Sequence, residues 1–292
     1  MNQPKLLTIG MSTYDDYDGM YFSIQALRMY QLQGIENDVE FVVVDNNPTS
    51  RHGPENKRFV ENWVRGKYIA YTDKKSTSSR NEIFKHASGK YTLCMDSHVL
   101  FEPNGIKNLL EYYRQNPETK NLVSGPLWYD DIRNGISTHF EPVWRAHMYG
   151  IWGTNRQAMS QGVPFEIPMM GLGMFSCKTS EWQGFNDAFK GFGGEEGYIH
   201  EKFRRAGGKC LCLPNVKWIH RFTRPNGVPY PNNLEDRVWN YFIGWLEILK
   251  DPKDLFFDGI FDAFKDKLPA EKLQAIFEKA QATHTASCLT PT

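Results

Sequence analysis

The chain has 292 residues, 40% of them hydrophobic, and Lys+Arg and Asp+Glu both number 34, so its formal net charge is zero. That length and apolar content can bury one large core or two fused subdomains. The neutral balance excludes a broad electrostatic grip on a nucleic-acid backbone and leaves only local contacts with any polymer. No run of about 18 apolar residues is present to cross a bilayer. No charged leader precedes Leu6, Leu7 and Ile9, and Cys94, Cys177, Cys210, Cys212 and Cys288 show no paired metal-ligand spacing. These features predict a soluble, unprocessed, cytoplasmic protein with reduced thiols.

Leu6 to Met11 reads as a strand, Tyr21 to Leu32 as a helix with Ile24, Leu27 and Tyr30 on one face, and Val39 to Val44 as a buried strand ending at Asp45. Together they predict a β-α-β unit with a parallel crossover. Tyr68 to Tyr71 is a further short strand, Ser78 to Ala87 a helix, and Lys90 to Met95 a strand stopped by Asp96. Ligands of open α/β sheets bind at the carboxyl ends of strands, where Thr13, Asp45, Asp73 and Asp96 fall. Singly, each is as readily a turn former or helix cap. The series of four is what points to a crevice. Arg80, in the first helical turn, can meet phosphate or base oxygens together with free backbone amides, or can simply be an exposed helix arginine.

Between Asn121 and Phe165 lie Trp128, Tyr129, His139, Trp144, His147, Tyr149 and Trp152. Such rings either stack on sugars and bases or pack at sheet edges. Gly193 and Gly194 permit a tight turn beside a ligand, and Glu195 and Glu196 open a helix-like stretch through Ile199, Phe203 and Ala206. A carboxylate there can accept from a hydroxyl or act as a base, although a helix N-terminus alone favours glutamate. Cys210 and Cys212 alternate on a strand as small core residues. Arg221 to Asn233, with Tyr230 near its centre, is a long loop, either lid or plain connection. Beyond Pro252 a short charged helix carries Leu273, Ile276 and Phe277 as a narrow stripe, with a frayed polar end expected from Thr283.

A divalent ion on a nucleoside diphosphate needs oxygen and imidazole ligands with positions left open for phosphate, and Asp96, His98 and the distal His220 supply such a set. In extended geometry Ser97 would point away, leaving Asp96 and His98 facing the same side. Alone, His98 reads more often as a satisfied polar residue.

Asp96-Ser97-His98, the segment Met170-Gly171-Leu172-Gly173-Met174-Phe175, the run Gly191-Phe192-Gly193-Gly194-Glu195-Glu196, and His220 followed by Pro229-Tyr230 and Arg237 resemble the GT-A glycosyltransferases. In motif pattern they are closest to the polypeptide N-acetylgalactosaminyltransferase catalytic domain and its family-2-like relatives, over residues 5 to 245. The resemblance implies an α/β GT-A (Rossmann-like) nucleotide-sugar-binding fold, a mixed central sheet flanked by helices. It implies a nucleotide-sugar-binding half at 1–100, an acceptor-binding half at 101–245 and a C-terminal helical extension at 246–292. Thr13, Asp45, Asn46 and Arg80 would hold the nucleotide, joined by the strand-end residues Asp73 and Asp96. Asp96, His98 and His220 would bind Mn²⁺ or Mg²⁺, and Gly171, Leu172 and Gly173 would lie against the donor sugar. Glu195, with Glu196 second, would stand at the junction of donor and acceptor, and Arg221, Arg224 and Tyr230 on the lid and acceptor side. The chain departs from the family at Phe192, where tryptophan is usual, at Glu196, where asparagine is frequent, and in the displaced Arg221 and Arg224.

The expected activity is metal-dependent sugar transfer from a UDP-type donor to an acceptor hydroxyl, retaining by resemblance. Inversion with Glu195 as base stays open, as does the acceptor: a protein, a glycan, a small molecule or a hydroxylated base in DNA. A nucleotidyltransferase or diphosphate hydrolase could use the same crevice. A catalytically silent sugar-binding module is the third reading.

Overall fold

The structure, a computed structural model, describes residues 5–132, 135–224 and 227–289. Its centre is built from the apolar runs Leu7–Thr13 (β1), Val39–Asp45 (β2) and Tyr91–Asp96 (β4), nearly every residue of which is buried. Strands covered on both faces require such runs. β1 pairs in parallel with β2 and with β4, and β2 with Lys67–Ala70 (β3). Thr13 lies opposite Asp45 and Ser12 opposite Asp96, so these strand ends stop side by side.

The crossovers carry α1 (Tyr17–Ala26), α2 (Gly53–Arg58) and α3 (Arg80–His86). α1 begins four residues earlier than the spacing predicts, with Asp16 as its N-cap, and widens into a π turn at Leu27–Gln31. The wider turn rotates the buried face. Tyr30 is 67% exposed, and Gln31 is buried in its place, its amide donating to the carbonyls of Phe101 and Glu102. The expected Ile24–Leu27–Tyr30 face is corrected accordingly.

The eight-stranded sheet has the order β11-β13-β6-β12-β4-β1-β2-β3, adding Leu122–Ser124 (β6), Phe165–Glu166 (β11), Met174–Lys178 (β12) and Cys210–Cys212 (β13). β12 runs antiparallel to β4, which makes the sheet mixed, and the amide of Asp96 donates to the carbonyl of Gly173 at 2.9 Å. A smaller sheet joins Val99–Phe101 (β5), Trp218–His220 (β14), Leu127–Trp128 (β7) and Ile136–Ser137 (β8). Pairing of β14 with β5 sets His220 opposite Val99, one residue from His98. His139–Arg145 (β9) and Met148–Gly153 (β10) form a hairpin whose Trp144 and Tyr149 pack on the core.

Helices α4 (Gly105–Gln115), α5 (Arg156–Ser160), α6 (Glu196–Arg205), α7 (Leu234–Leu249), α8 (Phe256–Phe264) and α9 (Ala270–Leu289) complete the chain, with α7 packed on α6, α8 and α9. α9 continues past the expected fray at Thr283. The hydroxyls of Thr283, Thr285 and Ser287 donate to carbonyls four residues back, so the polar end is satisfied within the helix. Cys94, Cys177, Cys210 and Cys212 are buried, and all five cysteines are free. Among the described residues no helix is long and apolar enough to cross a membrane.

Candidate active site

Asp96 ends β4, and Ser97 and His98 form a turn rather than an extended run. The expected opposition of Ser97 is therefore wrong: its hydroxyl donates to Asp16 Oδ2 at 3.1 Å, the same oxygen that His98 Nδ1 meets at 2.7 Å. Asp16, the N-cap of α1, thus orients the His98 ring and leaves Nε2 facing inward. His98 Nε2 and His220 Nε2 are 3.0 Å apart, and His220 Nε2 is 3.3 Å from Asp96 Oδ2. The three residues offer ligand atoms that all lie within 4.8 Å of one another. Adjacent ligands of an octahedral ion at about 2.1 Å would be about 3 Å apart, so the set fits a small divalent cation. A carboxylate behind a ligating histidine is the usual outer support of such sites.

The electrostatics agree with that fit. Burial opposes ionisation of Asp96, but Arg80, His220 and His98 outweigh it and hold the carboxyl far below the usual carboxylate range. Burial likewise opposes Asp16, and His98 and Arg221 override it. Burial lowers the His98 pKa, against the pull of Asp16, so its imidazole tends to stay neutral with a lone pair to give.

Arg80 ties this centre to the glycine loop. Its Nη2 is 2.9 Å from Asp96 Oδ1, and its Nη1 is 3.5 Å from Glu195 Oε1. The amide of Thr77 donates to the carbonyl of Gly191 at 3.0 Å, stitching the start of α3 to the loop that carries Glu195. Gly191, Gly193 and Gly194 have φ of 48°, 96° and 90°, a region that side chains avoid. From α7, the Asn240 amide donates to the carbonyls of Lys190 and Gly193, and its Oδ1 accepts from the Lys190 amide. Glu195 is buried, with Oε2 unpartnered. Burial and then the Glu195 charge push the neighbouring Glu196 carboxyl upward.

On the other side of Asp96, Thr13 Oγ1 and Asn46 Oδ1 are buried without partners on the cleft wall, as unsatisfied atoms awaiting a polar ligand would be. Two predicted members of this group lie elsewhere. Asp45 is 0% exposed, and its carboxylate accepts from Asn56 Nδ2, the Tyr68 hydroxyl and the Asn47 amide, so it braces the strand end instead of facing the cleft. Asp73 sits on an exposed stretch after β3, outside the cleft.

A second cavity of about 440 Å³ adjoins the first and is walled by Gly171, Leu172, Gly173, Glu195, Glu196 and Arg237. A Cβ on Gly173 would stand 3.1 Å from the Trp218 ring and 3.2 Å from that of His220, so a larger residue here would press both rings to shift. Phe140, Trp152, Phe222 and Tyr230 face the same space. Of the rings flagged between Asn121 and Phe165, Trp152 alone lines this cavity; Trp128 is held by Glu102 and His147 by Asp266. Arg221 pairs with Asp16, Arg224 with His98, and Tyr230 packs on Phe192. Sequence reasoning missed Asp16, which reads as an ordinary helix cap, and used Arg237 only for the resemblance.

His200 links the Glu196 backbone to the residue that precedes the glycine turn. Its Nδ1 donates to the Glu196 carbonyl at 2.6 Å, and its Nε2 accepts from the Met170 amide at 3.1 Å. Burial drops its pKa from the ordinary 6.5 to about 4. As pH falls the unfolded chain takes this proton first, so the contribution is complete above 6.5 and lost on the way down to 4. Urea unfolding should therefore register about 3 kcal/mol less stability at pH 4 through this residue, and His200→Gln should flatten the profile.

The profile of glycosyl transferase family 2 matches residues 8–177. No curated protein matches the chain. Among solved structures, GalNAc-T7 with UDP, GalNAc and Mn²⁺ superposes with a TM-score of 0.70 at 12% identity, over 96% of this chain and 55% of that one. This chain thus spans about half that protein's length. The mannosyltransferase PcManGT from Pyrobaculum calidifontis, with GDP-Man and Mn²⁺, gives 0.56 at 15% identity, covering 98% of this chain and 76% of that one. S. aureus TarS 1–349 with UDP-GlcNAc gives 0.59 at 14% identity, covering 94% and 79%. At such identities the likeness is one of fold, the GT-A arrangement. The family match rests on sequence and runs from β1 into β12, through the strand ends that frame the cleft, so the chain belongs to glycosyl transferase family 2.

Proposed function

We propose that the protein moves a glycosyl group from a UDP-type nucleotide sugar to an acceptor hydroxyl, with Mn²⁺ or Mg²⁺ held by Asp96, His98 and His220. The observation that carries this reading is Arg80, buried between the cation ligand Asp96 and the cavity carboxylate Glu195. Nucleotide and acceptor chemistry meet there. Thr13 and Asn46 would receive the nucleoside, and the Gly171–Gly173 turn would lie under the sugar. When bound, the cation would neutralise charge on the departing diphosphate. Arg80 keeps Asp96 ionised for that role, and Glu195 Oε2 is free to accept from a sugar or acceptor hydroxyl.

Motif similarity to the polypeptide N-acetylgalactosaminyltransferases supports retention at the anomeric carbon. A second reading, inversion with Glu195 as base, is favoured by the same unpartnered Oε2. Incubation with Mn²⁺ and a panel of UDP-, GDP-, dTDP- and CDP-sugars should release UDP, and EDTA should stop the release. Liberated pyrophosphate or nucleoside monophosphate would instead indicate a nucleotidyltransferase or hydrolase. Absence of metal-dependent nucleotide binding would overturn the proposal.

A further inference from the structure

The Arg224 guanidinium sits on the atom that a metal would need. Its Nη2 is 2.7 Å from His98 Nε2. Guanidinium has no acceptor, so the imidazole nitrogen must accept, which agrees with the His98 Nδ1 proton pointing at Asp16. One lone pair cannot serve a guanidinium and a metal ion together. Among the described residues no carboxylate pairs with Arg224 in compensation. Asp16 is taken by His98, Ser97 and Arg221, and Asp96 by Arg80 and His220. What holds Arg224 is His98 and the Tyr230 ring, 5.6 Å from its carbon, while its Nε is buried without a partner.

We propose that Arg224 is the resident counter-cation of the metal site: a divalent ion enters by displacing it from His98, and Arg224 thereby sets the metal affinity of the nucleotide-free protein. This rests on the reading of Asp96, His98 and His220 as ligands. The charge balance has the same consequence. Counted with Glu196 and Arg237, which line the same space, the site brings together four carboxyls, Asp16, Asp96, Glu195 and Glu196, and four guanidiniums, Arg80, Arg221, Arg224 and Arg237. A dication arriving alone leaves the pocket with surplus positive charge, and one arriving with a diphosphate does not. Metal binding without nucleotide is therefore weak by construction, and the diphosphate restores neutrality.

The test is Mn²⁺ binding to the full chain without nucleotide, followed by the paramagnetic signal of free Mn²⁺ and by calorimetry, for wild type, Arg224→Gln and Arg224→Lys. Arg224→Gln should bind about tenfold tighter than wild type, or about 1.4 kcal/mol, and Arg224→Lys, which keeps the charge, should stay near wild type. Adding UDP should narrow the difference between wild type and Arg224→Gln. Equal or weaker binding by Arg224→Gln, with wild-type binding that Asp96→Asn abolishes, overturns the role of Arg224 while leaving the ligand reading intact. No binding in any protein, or wild-type binding that Asp96→Asn leaves unchanged, overturns the ligand reading and the proposal with it.

Discussion

Asp96→Asn should lower Mn²⁺-dependent UDP release by about three orders of magnitude, since metal stabilisation of a leaving group contributes several kcal/mol. The substitution keeps size and an acceptor oxygen for Arg80 but removes the charge that Arg80 and His220 share. Breaking a buried pair by deleting one partner costs about 3–5 kcal/mol. Here Glu195 remains 3.5 Å from Arg80, so the folding loss should be nearer the about 1–3 kcal/mol of an impaired buried hydrogen bond. Turnover and thermal unfolding measured on one preparation separate the two effects. Undiminished Mn²⁺-dependent release in a folded variant would remove Asp96 from the metal site.

Glu195→Gln should cut kcat by about 10²–10⁴, the range for a proton-accepting group in a transition state, with a smaller change in KM for the sugar donor. Glutamine retains an oxygen for Arg80, so a residue that only ordered the guanidinium would tolerate the change. Resolving kcat from KM, and reading the anomeric configuration of the product by NMR, distinguishes the roles. Inverted product with a collapsed kcat would assign Glu195 as base. Retained product with the same collapse would assign it to positioning at the front face, and an unaltered kcat would exclude it from chemistry.

Strands β1, β2 and β4 were legible because continuous apolar runs ending in polar residues leave few alternatives to buried parallel strands. That Asp96, His98 and His220 would come together was legible for a different reason, the resemblance that joined them, since His98 alone reads as a satisfied polar residue. What could not be read was pairing at a distance. Asp45 and Asp96 are both strand-end aspartates, and only the approach of Asn56 and Tyr68 turns one of them into a brace. Asp16 is eighty-odd positions from the histidine it orients, and a helix cap gives no local sign of a second duty. Tyr30 failed because the 3.6-residue period assumes an α-helix throughout, and the π turn breaks it.

The Asn240 clamp has a bearing on how acceptor choice can change. Three left-handed glycines would ordinarily make a loop of many shapes, yet one amide on α7 closes on it from both directions. The wall beside Glu195 is therefore cast by a helix that lies outside the strands ending at Thr13, Asp45 and Asp96. Under the proposed function, substitutions along α7 would reshape the receiving side of the reaction while the nucleotide side stays as it is, giving the two sides separate evolutionary handles.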